Sequence, residues 1–123
     1  MRCIKLFLLG TFLMISLGTF AQDNIKTVKL EQVPGKFTTK KVKLKPGTYV
    51  FEVTNRSVDH EVGFVLAPKK TAITTEDHIK EAYLSQIINE GQTGTSSEVT
   101  LTSGEYVYFC PLNPTPQYTL VVE

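Results

Sequence analysis

The stretch Gly104-Glu105-Tyr106-Val107-Tyr108-Phe109-Cys110-Pro111-Leu112-Asn113-Pro114 decides how this chain is read. Aromatic and β-branched residues crowd a short run that opens after the turn signal Ser103-Gly104 and stops at a proline, the pattern of a strand. Side chains alternate along extended backbone, so Tyr106, Tyr108 and Cys110 share one face. Cys110 ends this strand and opens a proline-rich loop, a junction where a rigid sheet commonly presents functional groups. The plainer reading of a free cysteine is a small, inert, buried hydrophobe.

Similar runs lie on either side of this stretch. Ile25–Gln32, Phe37–Leu44, Thr48–Thr54, His60–Leu66, Ser97–Leu101, Glu105–Cys110 and Gln117–Val122 read as strands, with Gly, Pro and Asn between them. Their spacing predicts an all-β sandwich or barrel. Tyr49, Phe51 and Val53 fall on a core face, with Glu52 and Thr54 opposite. Val42 and Leu44 point one way, and Lys41, Lys43 and Lys45 the other. That lysine row reads first as a solvated face that discourages edge pairing, and otherwise as a site for an acidic partner. One helix is expected between strands. Thr74 and Asp77 resemble a helix start, Ile79, Ala82, Tyr83, Ile87 and Ile88 recur at helical spacing, and Gly91 is a stop.

The first residues read as a signal peptide spanning 1–21. Arg2 and Lys5 precede an apolar run from Leu6 to Leu17, and Thr19-Phe20-Ala21 supplies the small residues of a cleavage site. The run is short for a membrane span, and an uncleaved anchor is the alternative. One domain, 22–123, remains, and a secreted or periplasmic location follows. The whole chain has 123 residues and a net charge of +1, which predicts no preference for nucleic acid or membrane. Cleavage removes Met1, Met14 and Cys3, leaving Cys110 as the sole cysteine. It then has no internal disulfide partner in an oxidising compartment, so burial, a metal or another molecule must protect it.

His60 shares parity with Val62, Phe64 and Leu66, which predicts a ring turned to the core side at the end of the sandwich. The segment Asn55 to Phe64, containing Asp59-His60-Glu61, and the Cys110 strand together resemble the small blue-copper proteins, the cupredoxins. In that family a His follows an Asn-containing loop after a strand, and a Cys closes a Gly-Glu-Tyr strand near the C-terminus. The resemblance covers nearly the whole chain after residue 21. It implies a Greek-key β-sandwich holding copper between two imidazoles and one thiolate, with a weak axial ligand.

The sequence departs from that pattern. The loop Pro111 to Tyr118 has no His. Asn113 stands where one subgroup of the family has its second His, and Thr115 where another does. Gln117 is the remaining axial candidate, at a spacing from Cys110 unlike the family's. His78 lies in the expected helix and reaches the thiol only if that helix covers the same end. The candidate copper ligands are therefore His60, Cys110, Asn113 and Gln117, an incomplete set. Two functions follow from the resemblance. One is copper binding for electron transfer or copper handling, with a redox or copper-handling partner docked on the stiff, apolar Pro111–Pro116 loop. The other is a metal-free interaction module of an envelope complex. No hydrolase triad, phosphate loop or paired-carboxylate motif is visible, and a thiol enzyme lacks a second Cys, so a non-enzyme is expected.

Overall fold

The computed structural model describes residues 24–123. The expected signal peptide and its cleavage site lie outside the described residues. Among the described residues nine strands form two sheets: β1 (Lys26–Val33), β2 (Lys36–Phe37), β3 (Lys41–Leu44), β4 (Gly47–Asn55), β5 (Val65–Pro68), β6 (Thr93–Thr95), β7 (Val99–Leu101), β8 (Gly104–Phe109) and β9 (Tyr118–Val122). The first sheet runs β2-β1-β4-β6, with β7 also paired to β4, and the second runs β3-β9-β8-β5. Among the described residues no helix is long and apolar enough to cross a membrane.

Alternation places the core between the sheets. Tyr49, Phe51 and Val53 of β4 are buried, as are Val28 and Leu30 of β1 and Leu120 and Val122 of β9. Phe37, Phe64, Tyr108 and Tyr118 pack together within it, with Phe37 edge-on to Tyr108 at 5.2 Å between ring centroids. Each fully buried aromatic or aliphatic side chain of this set contributes roughly 1.5–3 kcal/mol of transfer free energy.

Register fixes which strand ends meet. β1 and β4 run parallel, as do β3 and β9, while β8 runs against β9 and β5 against β8. The ends of β1, β4 and β8 and the starts of β3, β5 and β9 therefore lie at one end of the sandwich. Cys110 follows β8 there, and this is the thiol end.

Three expectations are corrected. The expected strand Phe37–Leu44 is two strands in different sheets, broken at Thr38–Lys40. The expected strand His60–Leu66 begins only at Val65; before it, Val62 makes an isolated bridge to Ile88.

The third is the helix, which does not form. Thr74 and Asp77 do make a start: the Thr74 N–H and hydroxyl donate to the Asp77 carboxylate at 2.8 and 3.1 Å. These bonds, and the nearby Lys70 ammonium, hold the Asp77 carboxyl below its ordinary value. Only two single 3-10 turns follow, Thr75–Asp77 and Lys80–Ala82, each ended by an extended residue. The backbone beyond serves neighbouring segments instead. Ile79 N–H bonds Leu66 O, Ser85 N–H bonds Thr95 O, and Ile88 exchanges both its bonds with Val62. Ile88 is fully buried, whereas Ile87, expected on the same helix face, is 52% exposed. Gly94 permits this packing, because a Cβ there would lie 2.7 Å from Ile88 Cγ2.

Candidate functional site

Cys110 is buried, on the inward face with Tyr106 and Tyr108, as its parity predicts. Its Sγ accepts two backbone hydrogen bonds, from Gly63 N–H and Asn113 N–H, each at 3.3 Å. The sulfur thus joins the 60–64 loop to the loop after β8. Thr115 closes that second loop: its Oγ1 accepts from Cys110 N–H at 3.0 Å and donates to Pro116 O at 3.0 Å.

Asn113 is only 4% exposed, and its amide is engaged on both sides. Nδ2 donates to Gln32 Oε1 at 3.1 Å and to Val33 O at 3.0 Å, and Oδ1 accepts from Gly35 N–H at 2.8 Å. Gly35 occupies the left-handed region at φ 76° in the two-residue Pro34-Gly35 turn, a conformation a side chain strains, and this aims its N–H at Asn113. Gln32, fully buried, completes the circuit by donating Nε2 to Gly63 O at 2.7 Å. Gly63 is thereby held through its N–H by the thiol and through its carbonyl by Gln32. Two amides and one thiol tie together the β1–β2 turn, the 60–64 loop and the loop after β8.

The side chains of the other candidates make no hydrogen bond in this network. His60 is exposed, which corrects the core-facing ring expected from parity. No strand runs through it, so parity does not apply. Asn55 sets its direction: buried at the end of β4, it donates to His60 O at 2.9 Å and accepts from Val58 N–H at 2.9 Å. The imidazole Nδ1 lies 3.0 Å from Glu61 O. Gln117 is exposed, just before β9. His78 Nδ1 lies 2.7 Å from the Tyr83 hydroxyl, and its ring meets Phe109 edge-on at 6.0 Å. Phe109 alternates with Cys110, so that contact is on the outer side of the second sheet.

These residues do not fit a type 1 copper site. Both positions where the family places its second His, Asn113 and Thr115, are committed to hydrogen bonds within the protein. Their amide and hydroxyl oxygens are also harder, poorer copper ligands than imidazole. Among the described residues no group of three or more His, Cys, Asp or Glu side chains is gathered within reach of one ion.

Sequence reasoning missed Gln32, Asn55 and Gly63. A signal for two of them was present: Gln32 continues the inward series Val28, Leu30, and Asn55 continues Tyr49, Phe51, Val53. A polar residue at the inward position of a strand end needs buried partners. Gly63 carried no comparable signal.

No family model and no curated protein matches the sequence. Solved structures do. Auracyanin B superposes with a TM-score of 0.63 at 17% identity, over 80% of this chain and 88% of that one. Auracyanin A, a "blue" copper protein of the green thermophilic photosynthetic bacterium Chloroflexus aurantiacus, gives 0.64 at 15% identity, over 81% and 100%. A mutant amicyanin in its reduced state gives 0.51 at 15%, over 79% and 82%. These are cupredoxins, and together with the two-sheet architecture they show that this chain has a cupredoxin-like fold.

Proposed function

We propose that this protein is an exported, non-enzymatic cupredoxin-like module that acts by contact with an envelope partner and holds no type 1 copper. The observation that carries this reading is the engaged Asn113 amide, which occupies a family ligand position and spends its donors and acceptor on Gln32, Val33 and Gly35. The signal pattern at residues 1–21 supports export.

The contact surface is the thiol end. Leu112, in the Pro111–Pro116 loop, is 46% exposed, and Ile87 is 52% exposed. Gly63 lies under Leu112, where an added Cβ would be 3.9 Å from Leu112 Cδ1. Gly63 also lines, with Phe64, Tyr83, Leu84, Gln86 and Ile87, a cavity of about 200 Å³. A stiff apolar loop beside an apolar recess is a surface that gains by being covered.

The second reading is copper handling, favoured by the copper named for auracyanin A and by the position of Cys110 at the end of β8. It requires His60 to turn inward from its exposed position.

Adding Cu(II), and separately Cu(I) against a competing chelator, tests the choice. The expected result is no intense visible band and no retained Cu(I). An intense band, or retained Cu(I), that disappears in Cys110→Ala would overturn the metal-free reading. For the contact surface, a photo-crosslinker at Leu112 should give a discrete adduct in intact cells, while one at exposed Glu98 should not. Equal labelling from both positions would reject this surface.

A further inference from the structure

The near-neutral total charge conceals a division of the chain. Residues 24–45 carry seven lysines, at 26, 29, 36, 40, 41, 43 and 45, against the single acid Glu31. Residues 46–123 carry ten carboxylates against Arg56, Lys69, Lys70 and Lys80. All seven lysines are exposed, and among the described residues only Lys43 of the seven has an ion pair, with Glu123 at 3.3 Å. Three of the four later cations are paired: Arg56 with Glu31, Lys69 with Glu105 and Lys70 with Asp77.

The chain places three of the unpaired lysines, Lys36, Lys40 and Lys41, at or beside one open edge. Among the described residues β3 is the last strand of its sheet and pairs only with β9. Leu44 O accepts from Glu123 N–H, so the backbone groups of Leu44, and by alternation those of Val42, face β9. The N–H and C=O groups of Lys41 and Lys43 then face away, along the free edge. Lys40 precedes this edge. Lys36 lies on β2, the end strand of the other sheet.

We propose that the free edge of β3 accepts an extended acidic segment of a partner protein as an added strand. Backbone hydrogen bonds to Lys41 and Lys43 supply the pairing, and the surrounding lysines select for Asp and Glu. Charge complementarity fixes this occupant. A second copy of β3 would set lysine against lysine, the usual means of keeping an edge unpaired. A flat anionic membrane is disfavoured by shape, because Lys29 lies on the outer face of one sheet and Lys41 and Lys43 on that of the other. This proposal does not depend on the contact surface at the thiol end.

The test is titration of the protein with an Asp/Glu-rich dodecapeptide, followed by amide NMR. Shifts are expected at Lys36–Phe37 and Lys40–Leu44, with slowed hydrogen exchange at the Lys41 and Lys43 amides and affinity that falls steeply with salt. The double variant Lys40→Glu/Lys41→Glu should lose at least tenfold in affinity with an unchanged melting temperature. The control Lys69→Glu/Lys80→Glu should stay within twofold. Equal loss in the control, shifts centred elsewhere, or absence of binding would overturn the proposal. So would binding to phosphatidylglycerol vesicles through this edge when the peptide leaves the Lys41 and Lys43 exchange rates unchanged.

Discussion

Both ends of this sandwich are closed by side chains that bond to backbone, but the ties have different reach. At the far end, Tyr49 Oη donates to Lys45 O at 2.6 Å and Tyr106 Oη to Thr102 O at 2.8 Å, each across four residues of chain. At the thiol end, Gln32 reaches Gly63 across 31 residues, and Asn113 reaches Gly35, Val33 and Gln32 across 78 to 81. A local tie forms as soon as its own turn forms. A distant tie exists only after both sheets have docked. The tyrosine ties of the far end therefore follow from local geometry, whereas the thiol end adds to its local ties, such as Thr115 to Cys110, distant ones that need the completed fold.

Breaking a distant tie should have the largest effect. Asn113→Leu removes the partners of Gly35 N–H, Val33 O and Gln32 Oε1 in one step. Leaving buried polar groups unpaired costs about 1–3 kcal/mol each, and Gly35 and Val33 can recover some of this from water, so a loss of about 3 kcal/mol is expected. Chemical denaturation measures it. A loss below about 1 kcal/mol would mean that the amide circuit is not what closes this end.

Alkaline unfolding sharpens the comparison through one more distant tie, on the side of the sandwich where β8 ends and β3 begins. Tyr108, fully buried, donates its hydroxyl to Thr39 O at 2.6 Å, 69 residues away. Burial first, and then neighbouring Tyr118, push its pKa up to about 12 from 10.0. Between those values the unfolded chain releases the phenolic proton and the folded chain keeps it. Stability from this group is thus complete below pH 10 and is lost as pH rises toward 12. The melting temperature should fall across that window in the parent protein and fall less in Tyr108→Phe. Parallel curves for the two proteins would remove Tyr108 from the account.

A smaller effect is expected at the far end. Tyr106→Phe deletes one hydroxyl bond to a carbonyl in an exposed turn, which water can reach. Its cost should be about 1 kcal/mol by the same denaturation experiment. If it equals the Asn113→Leu loss, the distinction between local and distant ties fails.

The same distinction explains what was legible in the sequence. The core parity of β4, the shared face of Tyr106, Tyr108 and Cys110 and the outward lysines of β3 follow from alternation within single strands, and each is observed. β6 was missed because Thr93-Gly94-Thr95 carries no apolar side chain, and pairing to β4 alone makes it a strand. The helix over residues 74–91 was expected because apolar residues there fit helical spacing. Exchange of hydrogen bonds between Ile88 and Val62 keeps the backbone extended instead. At the candidate site, the position of Cys110 was legible and the surroundings of Asn113 were not, since its partners lie nearly the whole domain away in sequence.

His60 provides the smallest expected effect and a direct check on the site. Its ring is exposed, and its position is set by a bond to its carbonyl from Asn55, which any residue at 60 can accept. His60→Ala should therefore change stability by less than about 0.5 kcal/mol, as exposed substitutions away from special contacts do. Asn55→Ala should cost more, because Val58 N–H loses its acceptor, the His60 carbonyl loses its donor and the Ile88 carbonyl loses one of its two. The order of these two variants separates a loop shaped by its buried amide from one shaped by its imidazole. A His60→Ala loss larger than that of Asn55→Ala would place the ring in contact with the thiol end and reopen a role for it beside Cys110.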